Sequence, residues 1–361
     1  MSSNWKLTSY LSGREFGGAG GVLRRLAVTA TSAALLLFAA PVAAQTPPAP
    51  PTPAATPDQP ARFKSAVDLV SVSAVVRDKK GRFVSDLSRE DFIVTEGGEK
   101  RSIVGFQAEA DGPVKVAVLF DISGSMRVGT KVVDAQQTAR HIFSSLKEGD
   151  KAALFAFDTQ LDQVTDFTSD FKDLEKKVEL VDPPFGQTSL YDAIAETAKA
   201  VETSMTGGSQ ARQRAAIVVL TDGIDTKSRL TAPEVSAIAS NIDVPVYIVA
   251  VMSPVDDPRN SDYGTGAMSS GLTDLARWTG GDLFIAIAPA HASIAARQIV
   301  GEMRHQYMLA FEASARPGWR PLEVKTRGRE LSVRARSGYT AGGDVKAPSA
   351  SGTSSKRGGE R

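Results

Sequence analysis

The chain has 361 residues, of which 42% are apolar and 23% charged, a composition that allows one full α/β domain and a smaller module. Its 42 basic and 41 acidic residues leave a net charge of +1. This balance argues against a broad basic surface for nucleic acid or anionic lipid. Because there is no cysteine, disulfides, thiolate metal sites and cysteine nucleophiles are excluded.

The amino-terminal segment has the pattern of an export signal. Arg24 and Arg25 precede a mostly apolar run, Leu26 to Ala40, and small residues follow as far as Ala44. This pattern predicts a secretory signal peptide over residues 1–44, and therefore a periplasmic, secreted or envelope-associated protein without stable membrane insertion after cleavage. An uncleaved membrane anchor is the alternative, although the run is short for a bilayer. Residues 45–63 are rich in proline and alanine and predict an extended linker.

Residues 64–109 predict a small β-rich segment. Ala66 to Val76 partly alternates and is rich in β-branched residues, and a turn follows at Asp78 to Gly81. Phe92 to Thr95 and Ile103 to Phe106 predict two further short strands, separated by a turn at Gly97 and Gly98.

Residues 113–305 alternate between predicted strands and helices. This order is typical of an α/β fold, here a doubly wound, mostly parallel sheet flanked by helices. The sequence does not determine the strand order. The predicted strands are Val116–Phe120, Ala152–Phe157, Ala216–Leu220, Val246–Val251 and Leu283–Ile287. The predicted helices are Lys131–Leu146, Phe171–Leu180, Leu190–Met205, Ala232–Asn241, Leu272–Thr279 and Ala292–Arg304.

Residues 306–341 return to a β pattern, with predicted strands at Tyr307–Phe311, Leu322–Thr326 and Leu331–Ala335. Since neither set of three short strands is expected to be stable alone, we expect this segment and residues 64–109 to form one small β-rich module. Residues 342–361 are dominated by glycine, serine, lysine and arginine and predict a disordered tail.

Oxygen-bearing residues follow the predicted strands of the α/β domain at three places. Asp121, Ser123 and Ser125 stand at the end of the first strand, Thr188 lies in a loop that enters a helix, and Asp222 ends another strand. Ligands bind at this edge of an open parallel sheet. Oxygen donors without nitrogen or sulfur suit a hard cation, so we expect Mg²⁺, or alternatively Mn²⁺ or Ca²⁺. A turn or capping motif is the alternative for Asp121 to Ser125 taken alone.

The ordered trio of segments resembles the metal-ion-dependent adhesion site of von Willebrand factor A-type and integrin I-type domains, over about half of the chain. The resemblance implies direct hydroxyl ligation by Ser123 and Ser125, a third hydroxyl from Thr188, and carboxylates from Asp121 and Asp222, partly through water. Gln187 departs from the pattern, since many relatives have glycine there. The flanking stretches Asp91 to Gly98 and Arg334 to Tyr339 are similar to an exported bacterial, acidobacteria-type branch of such proteins.

These features favour a binding module over an enzyme. The expected partner is another protein, whose acidic side chain completes the metal coordination. A hydrolase that uses the metal to activate water is an alternative, but it needs a general base, and the histidines at 141, 291 and 305 are scattered. A scaffold in which the metal is a structural clip is the other alternative. We expect no catalytic residue and no site for an organic cofactor.

Overall fold

The computed structural model describes residues 69–108, 112–183, 186–205, 214–252, 270–314, 316–328 and 330–341. The expected signal peptide, linker and tail lie outside these residues. Residues Lys64–Arg361 form one compact unit. Within the described ranges, no helix has both the length and the apolar composition that a bilayer crossing requires.

The centre of the protein is a six-stranded sheet with the order β10-β9-β8-β5-β6-β7. All neighbouring pairs are parallel except β6 and β7. The strands are β5 (Val114–Asp121), β6 (Lys151–Phe157), β7 (Leu161–Gln163), β8 (Arg214–Thr221), β9 (Val246–Val251) and β10 (Leu283–Ala286). Every residue of β5, β8 and β9 is buried, as expected for strands covered on both faces. The predicted doubly wound α/β fold is confirmed.

Six helices of the described chain cover the two faces of this sheet. They are α1 (Lys131–Ser144), α2 (Phe171–Glu179), α3 (Leu190–Met205), α4 (Ala232–Asn241), α5 (Ser270–Thr279) and α6 (Pro289–Arg304). Helices α1, α2 and α6 share one apolar core with the sheet, and α3, α4 and α5 share the other. Helix α6 begins three residues before the predicted Ala292, because Pro289 occupies its first turn, where a proline removes no helical hydrogen bond.

The segments on either side of the α/β domain form two antiparallel sheets, as predicted for the small β-rich module. Their orders are β13-β1-β11-β4 and β14-β12-β2-β3. The strands are β1 (Leu69–Arg77), β2 (Phe92–Glu96), β3 (Glu99–Arg101), β4 (Ile103–Gln107), β11 (Gln306–Glu312), β12 (Gly318–Thr326), β13 (Ser332–Ala335) and β14 (Gly338–Ala341). Strand β1 pairs with β11 from Leu69 to Val75, and β12 pairs with β2. Both sheets bury side chains in one shared core, which includes Phe92, Tyr307 and Leu309.

Candidate metal centre

The candidate site lies where the strand order of the central sheet reverses. Strand β5 pairs with β6 on one side and with β8 on the other, and Phe120 of β5 is in register with Leu220 of β8. Asp121 and Thr221 therefore end neighbouring parallel strands at the same edge. This is the position at which open α/β sheets bind ligands, and it brings the first and third predicted segments side by side.

Asp121 is a fully buried carboxylate held by two hydrogen bonds. Its Oδ1 accepts the backbone N–H of Ser123 at 2.8 Å, and its Oδ2 accepts the hydroxyl of Thr221 at 2.6 Å. Burial and, to a smaller extent, the nearby charge of Asp222 raise the pKa of Asp121 to about 6, against the lowering effect of these hydrogen bonds. The ionised form therefore lacks sufficient positive charge around it, and a bound cation would supply that charge.

The two serines of the first loop lie side by side. The Oγ atoms of Ser123 and Ser125 are 3.1 Å apart, with Ser123 buried and Ser125 half-buried. A single turn of 3-10 helix, Gly124–Arg127, sets this geometry, and the fully buried Met126 side chain anchors the turn in the core. The backbone N–H of Gly124 donates to the carbonyl of Gly186 at 3.0 Å. This bond fastens the first loop to the loop that carries Thr188.

Thr188 is held firmly by its backbone, whereas its hydroxyl is left unpaired. The backbone N–H of Thr188 donates to Thr226 Oγ1 at 3.0 Å, and its carbonyl accepts from the N–H groups of Thr226 and Lys227. Its Oγ1 is buried and has no hydrogen-bond partner among the described residues. An unsatisfied buried hydroxyl costs about 1–3 kcal/mol, and a bound ion or an ordered water molecule would relieve this cost.

The second and third loops are joined by a shared cap at the start of α3. Asp225 Oδ1 accepts the N–H of Leu190 at 2.8 Å and the hydroxyl of Ser228 at 2.6 Å, and Ser228 Oγ accepts the N–H of Tyr191 at 2.9 Å. Asp192 accepts the backbone N–H groups of Arg229 and Leu230. Asp225 thus caps α3, Asp192 ties α3 to the third loop, and the three loops form one hydrogen-bonded unit.

One further residue, Lys131, belongs to the site and was missed by the sequence analysis. Its Nζ lies 3.0 Å from Oδ2 of Asp222 and 3.4 Å from the carbonyl oxygen of Ser125. Both side chains of this ion pair are almost completely buried. A signal was present in the sequence, because Lys131 is the first residue of α1, where the helix dipole disfavours a cation. A nearby carboxylate offsets this unfavourable interaction, and in the structure Asp222 does so.

The donor set fits a hard divalent cation. Two carboxylates and three hydroxyls stand on the joined loops, without nitrogen or sulfur ligands, and one buried hydroxyl is unpaired. In the described part of the chain, no group of three or more histidine, aspartate or glutamate side chains is placed to hold a metal ion. A metal centre here would therefore depend on hydroxyl ligands. The ligand roles of Asp121, Ser123, Ser125, Thr188 and Asp222 stay a prediction.

Metal affinity is expected to fall in acid because a proton competes for Asp121. The folded-state pKa of this carboxyl is about 6, above its ordinary value of 3.8. Each pH unit below 6 should therefore weaken Mn²⁺ binding about tenfold, since binding requires the ionised form. In the metal-free protein the same raised pKa stabilises the fold most below pH 3.8, and this contribution is lost as the pH rises through 6. Calorimetric titration with Mn²⁺ at pH 7.5 and pH 5 tests the expectation, and equal affinities would contradict it.

Comparison with known proteins agrees with this fold. The family model described as von Willebrand factor type A domain matches residues 116–224, a range that contains all five candidate ligands. Together with the sheet topology, this match shows a von Willebrand factor A-type fold in the α/β domain. No curated protein matches the chain.

Several solved structures are similar to parts of the chain. A von Willebrand factor type A protein from Catenulispora acidiphila shares 14% identity at a TM-score of 0.44, over 77% of this chain and 76% of that one. An aerotolerance-related membrane protein from Bacteroides fragilis shares 20% identity at a TM-score of 0.42, over 53% of this chain and 98% of that one. Proximal thread matrix protein 1 from the mussel byssus, solved with a zinc-occupied MIDAS motif, shares 16% identity at a TM-score of 0.43. The match covers 58% of this chain and 49% of that one.

Proposed function

We propose that the chain is an exported protein-binding module that depends on a divalent metal and is not an enzyme. The ion is held by Asp121, Ser123, Ser125, Thr188 and Asp222, and an acidic side chain of the partner completes its coordination. The observation that carries the proposal is the buried Thr188 hydroxyl, which has no hydrogen-bond partner among the residues that the structure describes. It stands on loops that are joined by hydrogen bonds and meet at the ligand-binding edge of the sheet.

The charges of the site favour an anionic partner group. Asp121 and Asp222 supply two negative charges, and the buried ammonium of Lys131 cancels one of them. A divalent ion at these loops would therefore leave a net charge of about +1 in a largely desolvated place. A carboxylate from a partner would neutralise that charge and would be strengthened by the exclusion of water from the interface. A neutral ligand would leave the charge uncompensated.

The surroundings of the site support a protein as the partner. Val128 and Ile224, on the loops that follow the serines and Asp222, are 45% and 37% exposed. Contact with a partner protein would remove both apolar side chains from water, which is favourable. Because a single carboxylate is too common to select one partner, the loops at Met126 to Thr130, Phe185 to Gln187 and Ile224 to Arg229 would set specificity. Phe185 itself lies outside the described residues.

A chelator-controlled pull-down from envelope extract tests the proposal. The protein is immobilised in Mg²⁺, in excess EDTA, and in EDTA followed by excess Mg²⁺, together with Asp121→Asn and the surface variant Asp173→Asn as a matched control. A partner should be captured by the wild type and by Asp173→Asn, only when Mg²⁺ is present. A partner retained by Asp121→Asn in EDTA would overturn the mechanism, and ion binding without any metal-dependent partner would leave the structural-clip alternative. The amino-terminal sequence of the protein recovered from the envelope tests the signal peptide: cleavage near Ala44 supports it, and a start before Leu26 supports the uncleaved anchor.

A further inference from the structure

We propose that Lys131 is a built-in cation that competes with the divalent ion for Asp222 and so sets the metal affinity of the site. This inference deepens the proposed function and rests on it. It assigns a role in metal binding to a residue that is not a ligand. The ammonium of Lys131 pairs directly with Asp222, one of the two carboxylates of the candidate site.

The ion pair between Lys131 and Asp222 is short and almost completely excluded from solvent. The Nζ–Oδ2 distance is 3.0 Å, and the two side chains are 4% and 3% exposed. The other oxygen of Asp222, Oδ1, accepts the backbone N–H of Ile224 at 3.3 Å. Each carboxylate oxygen of Asp222 thus has a donor within the chain. A cation that approaches Asp222 must share this carboxylate with the ammonium.

The position of Lys131 places its charge beside the whole site. Its Nζ also lies 3.4 Å from the backbone carbonyl oxygen of Ser125, the residue whose hydroxyl is a candidate ligand. At separations of a few ångströms in a desolvated environment, repulsion between an ammonium and a divalent ion is strong. The positive end of α1, whose first residue is Lys131, adds to this repulsion. The bound ion and Lys131 therefore destabilise each other.

Two opposite effects distinguish competition from simple structural support. If Lys131 competes, removal of its charge strengthens metal binding and at the same time destabilises the metal-free protein, because Asp222 loses its buried partner. If Lys131 only holds the Asp222 loop in shape, removal of its side chain misplaces a ligand and weakens metal binding. The sign of the change in affinity decides between the two roles.

The test compares Lys131→Met with Lys115→Met. Lys115 is a matched control because it is also a buried lysine, at the opposite end of β5, where its Nζ donates to the carbonyl of Ser204 at 2.9 Å. Calorimetric titration with Mn²⁺ should give a Kd for Lys131→Met at least about tenfold lower than for the wild type. Its Tm should be lower without metal and should rise more on addition of Mn²⁺. Lys115→Met should keep the wild-type Kd.

The outcomes separate this inference from the proposed function. If the wild type binds Mn²⁺ and Lys131→Met binds it equally well or more weakly, the competition is overturned and the metal site stands. If only Lys131→Met binds Mn²⁺, the competition holds in its strongest form and the proposed function of the natural protein fails. If neither binds, both are overturned. If Lys131→Met does not fold, Lys131→Gln is used in its place, because it keeps a polar side chain at the same position. The same changes in Kd and Tm are then expected.

Discussion

Replacing Asp121 by asparagine is expected to abolish divalent-ion binding without destabilising the metal-free protein. Asparagine keeps an oxygen that can accept the Ser123 N–H, as Oδ1 of Asp121 does, but it cannot carry the charge that a hard cation requires. Loss of even outer-shell support costs metal sites about 10–100-fold in affinity, so loss of this carboxylate should raise the Kd at least about a hundredfold.

The metal-free stability of Asp121→Asn follows from the environment of the carboxylate. At neutral pH the wild type holds a charge that burial disfavours, as the raised pKa of Asp121 shows. A neutral amide removes this cost, but its nitrogen also replaces the oxygen that accepts the Thr221 hydroxyl. The two effects oppose each other, so the Tm in EDTA should stay close to that of the wild type. In excess Mg²⁺ the wild type should gain about 2.7 kcal/mol at an ion concentration 100 times its Kd, and the variant should gain nothing. Thermal denaturation in EDTA and in Mg²⁺ measures both, and a full Mg²⁺-dependent gain in Asp121→Asn would contradict the ligand assignment.

Replacing Asp150 by alanine should have the opposite effect to Asp121→Asn. It should greatly lower the free energy of unfolding and leave metal binding unchanged. Asp150 is almost completely buried at the far end of the sheet. Its Oδ1 accepts the N–H of Val114 at 2.9 Å, and its Oδ2 accepts the N–H of Lys147 at 2.7 Å and the guanidinium of Arg304 at 2.6 Å. Alanine would leave the buried charge of Arg304 without its carboxylate partner. Breaking a buried ion pair in this way costs about 3–5 kcal/mol.

Urea denaturation in EDTA measures this loss as a decrease in the free energy of unfolding. The matched control is Arg140→Ala, which removes the ion pair with Glu179, where both side chains are about half exposed. An exposed pair contributes only about 0–1 kcal/mol, so the control should differ little from the wild type. If Asp150→Ala lost no more stability than Arg140→Ala, the structural role of the Asp150–Arg304 pair would be wrong.

The sequence by itself determined the α/β class and the five candidate ligands. Continuous apolar runs such as Val116 to Phe120 predict strands buried on both faces, because few other local structures bury every side chain. Asp121, Thr188 and Asp222 follow predicted strands or open a helix, and the strand ends of a parallel sheet meet at one edge. Short strands such as β3 and β7 were missed, since Glu99–Arg101 and Leu161–Gln163 carry no alternating apolar pattern to signal them.

Only the tertiary structure decided what surrounds those ligands. The pairing of β1 with β11 joins residues more than 200 positions apart, and local patterns carry no information on such partners. The sheet order places Thr221 beside Asp121, and the packing of α1 brings Lys131 to Asp222 across 91 residues. The unpaired hydroxyl of Thr188 is likewise invisible in the sequence, because hydrogen-bond satisfaction and desolvation depend on all neighbours in space. Residue types therefore determined which atoms could bind an ion, whereas packing determined the charge that such an ion would meet.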